Sequence, residues 1–208
     1  FFARLGEALG FARVRQYAQL FGFGEKAGWE IPGEQLGTFP EAPPKLGGVG
    51  RLTSFGEEIA ATPLQQAAFI AALANGGTLY YLQYPRTAEE IAQFVPKVKR
   101  RLDIAPLIPS VLPGMMAAVE RGTARRAYDP HDPILGKTGT CSQGRTRLGW
   151  FASYNDLGNR LVVVVLLRGG RLSFGPAAAE VAGRVYKSLT ERNYSAARRE
   201  LTPGTFLA

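Results

Sequence analysis

The last third of the chain places the tightest limit on its fold. Ile134 to Cys141, Leu148 to Tyr154 and Leu161 to Leu167 are strand-like runs separated by short, turn-forming stretches. Only about five residues join the first two runs, and "NDLGN" joins the second and third with hairpin chemistry. Links this short make antiparallel neighbours, because a parallel crossover needs a dozen residues or more. The expected unit is therefore an antiparallel meander. The third run, "LVVVVLL", lacks alternation, which predicts burial on both faces and helices on both sides of the sheet. "GPAAAEVAGRVYKSLTERN" supplies a closing helix. The fold class expected is α/β of the α+β type, an antiparallel sheet flanked by helices.

Helical spacing dominates upstream. Phe2, Leu5 and Leu9, then Val14, Tyr17, Leu20 and Phe21, predict helix over residues 1–22, broken at Gly10. The Gly- and Pro-rich stretch from Phe21 to Gly50 predicts loop with little regular structure. "TPLQQAAFIAALANGG" predicts a helix capped by Thr62, with Pro63 at its first position and Asn75-Gly76 at its end. Thr87 with Glu90 predicts a capping box opening a short helix. Ser110 is expected to start another helix, ending at Gly122.

Composition narrows the chemistry. The chain has 208 residues, 46% of them hydrophobic and 20% charged, as in an ordinary globular domain. No run is long enough to span a bilayer, and "FFARLGEALG" has no signal-peptide pattern. It opens straight into helical periodicity. We read it as the start of a fragment inside a domain, with any export signal or anchor upstream. The net charge of +8 is dispersed, densest in "KVKRR" (Lys97 to Arg101), with no basic-aromatic interleaving. A solvated surface is expected rather than nucleic acid. One Cys and one His exclude a structural zinc site and a disulfide framework, and no metal or cofactor is expected. Cys141 and His131 as a nucleophile and base would need an orienting third group and a cleft, neither legible here.

"GKTGT", Gly136 to Thr140, admits two chemistries. A phosphate cradle requires glycine five residues before Gly136, but His131 stands there. Pro133 donates no backbone hydrogen, and another strand follows where a helix should. The second chemistry is a strand that grips a carboxylate and a carbonyl. Lys137 supplies a fixed cation, Thr138 a hydroxyl, Gly139 close approach to the backbone, and Thr140 an N–H for a developing oxyanion. A polar strand end without a role fits those letters equally.

The surroundings decide between them. "GKTGT" followed by "LGWFASY" and a very apolar strand resembles the penicillin-binding proteins, the D,D-transpeptidases of peptidoglycan synthesis. "ATPLQQAAFIAALANGG" resembles their TPLQ…NGG helix, and "VERGTA" (Val119 to Ala124) the segment before the KTG strand. "FGFGEKAGWEIPGEQLGTFP" resembles the stretch after their S-x-N motif, and "FFARLGEALG" the residues immediately after it. The resemblance covers most of residues 1–208, in the family's order. It identifies them as the C-terminal part of such a domain, with a β-lactamase/transpeptidase-like fold incomplete at its N-terminus. "FFARLG" and "FGFGEKAGWEIPGE" look more like the monofunctional class B enzymes.

The resemblance implies a reaction. A serine, activated by the lysine of an S-x-x-K motif, attacks the penultimate D-Ala carbonyl of a stem peptide, the terminal D-Ala leaves, and an amine of a neighbouring stem peptide takes the acyl group from the serine. Lys137 and Thr138 would hold the terminal carboxylate, and Lys137 would also assist the serine electrostatically. Gly139 would let the substrate lie against the strand, and Thr140 would give half of the oxyanion hole. Partners would be stem peptides ending in D-Ala-D-Ala, β-lactam antibiotics, and the cell elongation or division machinery, at an extracytoplasmic location. The alternatives are a β-lactamase or β-lactam sensor of the same fold, or a non-catalytic binding or scaffold relative.

The sequence also departs from the family. Ser54, Ser110, Ser142, Ser153, Ser173, Ser188 and Ser195 all lack lysine three residues on, so the nucleophile is missing and the chain alone is expected to be inactive. "SYN" at Ser153 matches S-x-N by letters but follows the KTG strand, against the family order. Cys141 stands where Ala is usual, Glu57-Glu58 where a GQG-like turn is usual, and residues 78–109 match poorly. With the family's first two strands upstream, "LVVVVLL" would lose a neighbour, and poor solubility is expected.

Overall fold

The computed structural model describes residues 1–56, 58–158 and 160–192. Glu57, Asn159, the last residue of the closing-helix segment (Asn193) and Ser195 lie outside these. The chain divides into two compact units, Phe1–Asp103 and a second beginning at Ile104.

The first unit is mainly helical. α1 (Phe2–Leu9) and α2 (Phe11–Leu20) are separated at Gly10, whose φ of 76° only glycine adopts at little cost. α3 (Gly48–Phe55) begins inside the stretch expected as loop. Its glycines hide the helical pattern, and a tertiary contact supplies what propensity does not. α3 packs on α1, and Thr53 Oγ1 donates to the Phe2 carbonyl at 2.9 Å. α4 (Pro63–Ala74) has the expected cap at Thr62, and the Gln65 side chain reaches back to complete a capping box. β1 (Thr78–Tyr80) and β2 (Val98–Arg101) form an antiparallel pair, with the capped helix α5 (Ala88–Ala92) between them in sequence.

Gln65 explains the TPLQ pattern physically. Its Oε1 accepts from the Thr62 N–H at 2.9 Å, and its Nε2 donates to the carbonyls of Glu25 and Leu36 at 2.9 and 2.7 Å. At 1% exposure, this one side chain satisfies backbone groups of an irregular loop that has no ladder to pair them. Glu34 does similar work, accepting from the N–H groups of Ala27 and Gly28. The loop is thus ordered by side chains, as its lack of regular structure requires. The basic cluster is engaged within the same unit. Lys99 and Arg100 reach Glu25 at 2.7 and 2.6 Å, and Lys97 lies 3.6 Å over the Trp29 ring.

The second unit carries the meander. α6 (Ile108–Glu120) starts two residues before the expected Ser110, since Pro109 fits a first turn that needs no N–H donor. A 3₁₀ turn (Arg125–Ala127) leads to β3 (Ile134–Gln143), β4 (Thr146–Asn155), β5 (Val162–Gly169) and α7 (Gly175–Glu191). The sheet is antiparallel in the order β3-β4-β5. The β3–β4 link is tighter than expected: only Gly144 and Arg145 join the strands, with Gly144 at φ 60°. α7 packs on the face bearing Phe151, Val163 and Val165, in a core with Ala178, Ala179, Ala182 and Tyr186. On the other face Leu135 and Tyr154, paired across β3 and β4, are also buried. β5 corrects the expectation of burial on both faces. Leu161 to Leu167 are all half-buried, because β5 is an outer strand of this sheet.

Candidate active site

β3 holds the four residues singled out in the sequence, and it too is an outer strand. Pairing fixes which backbone groups are free. The Asp156 N–H donates to the Pro133 carbonyl at 2.9 Å, and the register then runs from Ile134↔Asn155 through Lys137↔Ala152 to Thr140↔Gly149. Antiparallel ladders alternate, so Leu135, Lys137 and Gly139 bond to β4, while the N–H and C=O groups of Gly136, Thr138 and Thr140 face the open edge. The Thr140 N–H therefore points out from this edge.

Side chains alternate as well, which puts Lys137 and Thr138 on opposite faces of the strand. Both still serve the edge. Lys137 Nζ turns back to donate to the Thr138 carbonyl at 2.8 Å, which brings the ammonium to the outer rim. Thr138 is half-buried, and its hydroxyl lies 2.6 Å from that of Thr123. Thr140 Oγ1 accepts from the Gly175 N–H at 2.9 Å. Phe174, at the N-cap of α7, makes no side-chain capping bond, so a threonine 35 residues earlier caps that helix. The strand and the helix that covers it are thereby tied together.

Glycines set the close approaches around this edge. A Cβ at Gly149 would collide with the Phe174 backbone, and one at Gly175 would lie 2.8 Å from Thr138 Cβ. Those two glycines are demanded by packing. Gly139 is different: a Cβ there would meet only Trp150, at 3.4 Å, which is ordinary contact. No described residue of the unit requires glycine at this position, and the open space lies on the face that carries Lys137.

Gly136 to Thr140 are extended strand, with another strand following, which leaves no phosphate cradle. Ser153 is fully buried, 2.9 Å from the Val163 carbonyl and 3.1 Å from the Tyr186 hydroxyl. Asn155 is buried too, holding Asp132 and the Leu161 N–H, so "SYN" is structural. His131 precedes β3 and Cys141 lies near its far end, about 23 Å of strand beyond Ile134. They cannot form a nucleophile–base pair. Cys141 is exposed, on the Lys137 face.

Comparison with known proteins agrees with the fold. The family model described as "Penicillin binding protein transpeptidase domain" matches residues 1–191. The chain belongs to the penicillin-binding protein transpeptidase family. Stage V sporulation protein D of Bacillus subtilis (strain 168) is 33% identical over 150 residues, 68% of this chain and 23% of that protein. Penicillin-binding protein H of the same organism is 28% identical over 152 residues, 66% of this chain and 21% of that protein. The crystal structure of penicillin-binding protein 3 from Mycobacterium tuberculosis superposes with a TM-score of 0.69 at 23% identity, over 92% of this chain and 49% of that one. Its complex with aztreonam gives 0.68 at 21% identity, over 92% and 48%. The chain thus spans about a quarter of the length of the curated relatives and half of the solved chains.

One contributor escaped the sequence reading. Thr123 lies in the noted segment "VERGTA", but only the fold brings it to Thr138. The two are 15 residues apart in sequence, and no local spacing rule joins a helix-terminal turn to a strand.

Proposed function

We propose that this chain provides the substrate-gripping strand of a serine D,D-transpeptidase that cross-links peptidoglycan stem peptides. The observation that supports this is the open edge of β3, where Lys137 Nζ donates to the outward Thr138 carbonyl, the Thr138 hydroxyl is held against Thr123, and the Thr140 N–H faces out two residues on. Lys137 and Thr138 hold the terminal carboxylate of a D-Ala-D-Ala peptide, by charge and by hydrogen bond. The peptide lies along Gly139, and the Thr140 N–H faces the oxygen that becomes negative as the acyl carbon turns tetrahedral. β-Lactams occupy the same groups, because they present a carboxylate and a strained acyl carbon at similar spacing. Lys137 also favours the reacting serine by its charge.

The serine itself comes from an S-x-x-K segment that these 208 residues do not carry. The 208 residues alone therefore take no covalent label from a fluorescent penicillin. The full-length protein works at an extracytoplasmic site, anchored by a segment upstream, among the elongation or division machinery.

The decisive experiment replaces Gly139 by Ala in the full-length protein with its S-x-x-K serine. Melting should stay within about 0.5 kcal/mol of wild type, since the new Cβ has room, while penicillin acylation falls at least about tenfold. Unchanged acylation would remove Gly139 from the substrate path.

A further inference from the structure

Thr138 and Thr123 bring two hydroxyls to 2.6 Å, and either oxygen can be the donor. We propose that Thr123 is a positioning residue: it donates to Thr138 Oγ1 and so leaves the Thr138 hydrogen to be given to the substrate carboxylate. This rests on the site reading above.

A threonine hydroxyl has one hydrogen and two acceptor lone pairs. If Thr138 gave its hydrogen to Thr123, it would meet an anion with lone pairs only, and the contact would repel. With Thr123 as donor, Thr138 meets the anion with its hydrogen, and the incoming bond polarises that hydrogen further. Neither hydroxyl has another hydrogen-bond partner among the described residues.

Both ends of the pair are held in place. Thr138 is β-branched and stiff about χ1, and Gly175 backs its Cβ so closely that no side chain fits between them. Thr123 sits on a turn fixed from two sides. Gly122 presses on the end of α6, where a Cβ would lie 2.8 Å from Ala118 Cα. Ala124 is fully buried, and its N–H donates to the Ala118 carbonyl at 2.9 Å. The turn therefore delivers the Thr123 hydroxyl to one place, while its exposed position leaves the core indifferent to what it carries. Thr140, by contrast, already has its hydroxyl oxygen committed to the α7 cap.

The test is a double-mutant cycle in the full-length protein, read as the second-order rate constant for acylation by benzylpenicillin. Thr123→Val, which keeps the shape and loses the donor, should slow acylation about tenfold. Thr123→Ser should restore the wild-type rate. In a Thr138→Val background, Thr123→Val should cost nothing further, because its only route to the substrate is gone. Thermal melts of all variants separate slower chemistry from lost fold; if Thr123→Val does not fold, Thr123→Ala against Thr123→Ser carries the same comparison. An equal loss from Thr123→Val in both backgrounds, or no loss in either, overturns the inference while the site reading stands. If Thr138→Val alone leaves acylation unchanged, the site reading fails, and the inference with it.

Discussion

Single residues in this chain divide into those that the fold needs and those that it leaves free. Gly149 belongs to the first group. Gly149→Ala places a methyl on the Phe174 backbone and should cost about 1–3 kcal/mol in a denaturant melt, with β4 or α7 displaced. Asp132 belongs to neither comfortably. It is 3% exposed, and Oδ1 has no hydrogen-bond partner among the described residues, although Oδ2 accepts from Asn155 at 3.3 Å. Burial, opposed by the Asn155 bond and reinforced by the Asp129 charge, raises its pKa above the ordinary 3.8. An acid whose pKa is raised by folding stabilises the fold while protonated, and that contribution is lost as pH rises through the folded value. Asp132→Asn should therefore match wild type in acid and melt progressively higher than it as pH rises past 3.8 toward neutrality. A constant difference across that range would show that the carboxyl does not titrate in the fold.

Elements were legible wherever their signals were local. The cap at Thr62, the capping box at Thr87 and the break at Gly10 follow from spacing alone, because each acts within four residues. α3 and the true start of α6 did not, since packing and a tolerated proline decided them. The cap of α7 is also non-local. Thr140→Val keeps the strand residue's shape but removes the acceptor for Gly175, and should lower stability by about 1 kcal/mol in a thermal melt. β5 shows how sheet order overrides local pattern. Its apolar run promised a central strand, yet it pairs only with β4 among the described residues, which leaves a row of backbone groups unpaired. The isolated chain should scatter light on concentration, and Val164→Lys, on the face away from α7, should suppress this. Equal scattering from both would absolve the β5 edge.

At the scale of the molecule, charge links distant parts of the chain. In the first unit Glu25 draws Lys99 and Arg100 from more than 70 residues away onto the loop after α2. Burial works against its ionisation, but hydrogen bonds from Arg100 and Lys99 prevail and hold its pKa below the ordinary 4.5. A depressed acid contributes stability that is complete above its unfolded value and lost as pH falls through the folded one. Glu25→Gln should thus destabilise at neutral pH and converge with wild type below 4.5, which acid titration of the melting temperature checks. Sequence by itself determined the meander and the caps at Thr62 and Thr87, because residue types and short spacings act over a few positions. Only tertiary structure decided that β3 is an outer strand among the described residues, that Thr140 caps a helix 35 residues on, and that Thr123 meets Thr138. Those facts depend on which surfaces pack together, and packing joins residues that the chain keeps far apart.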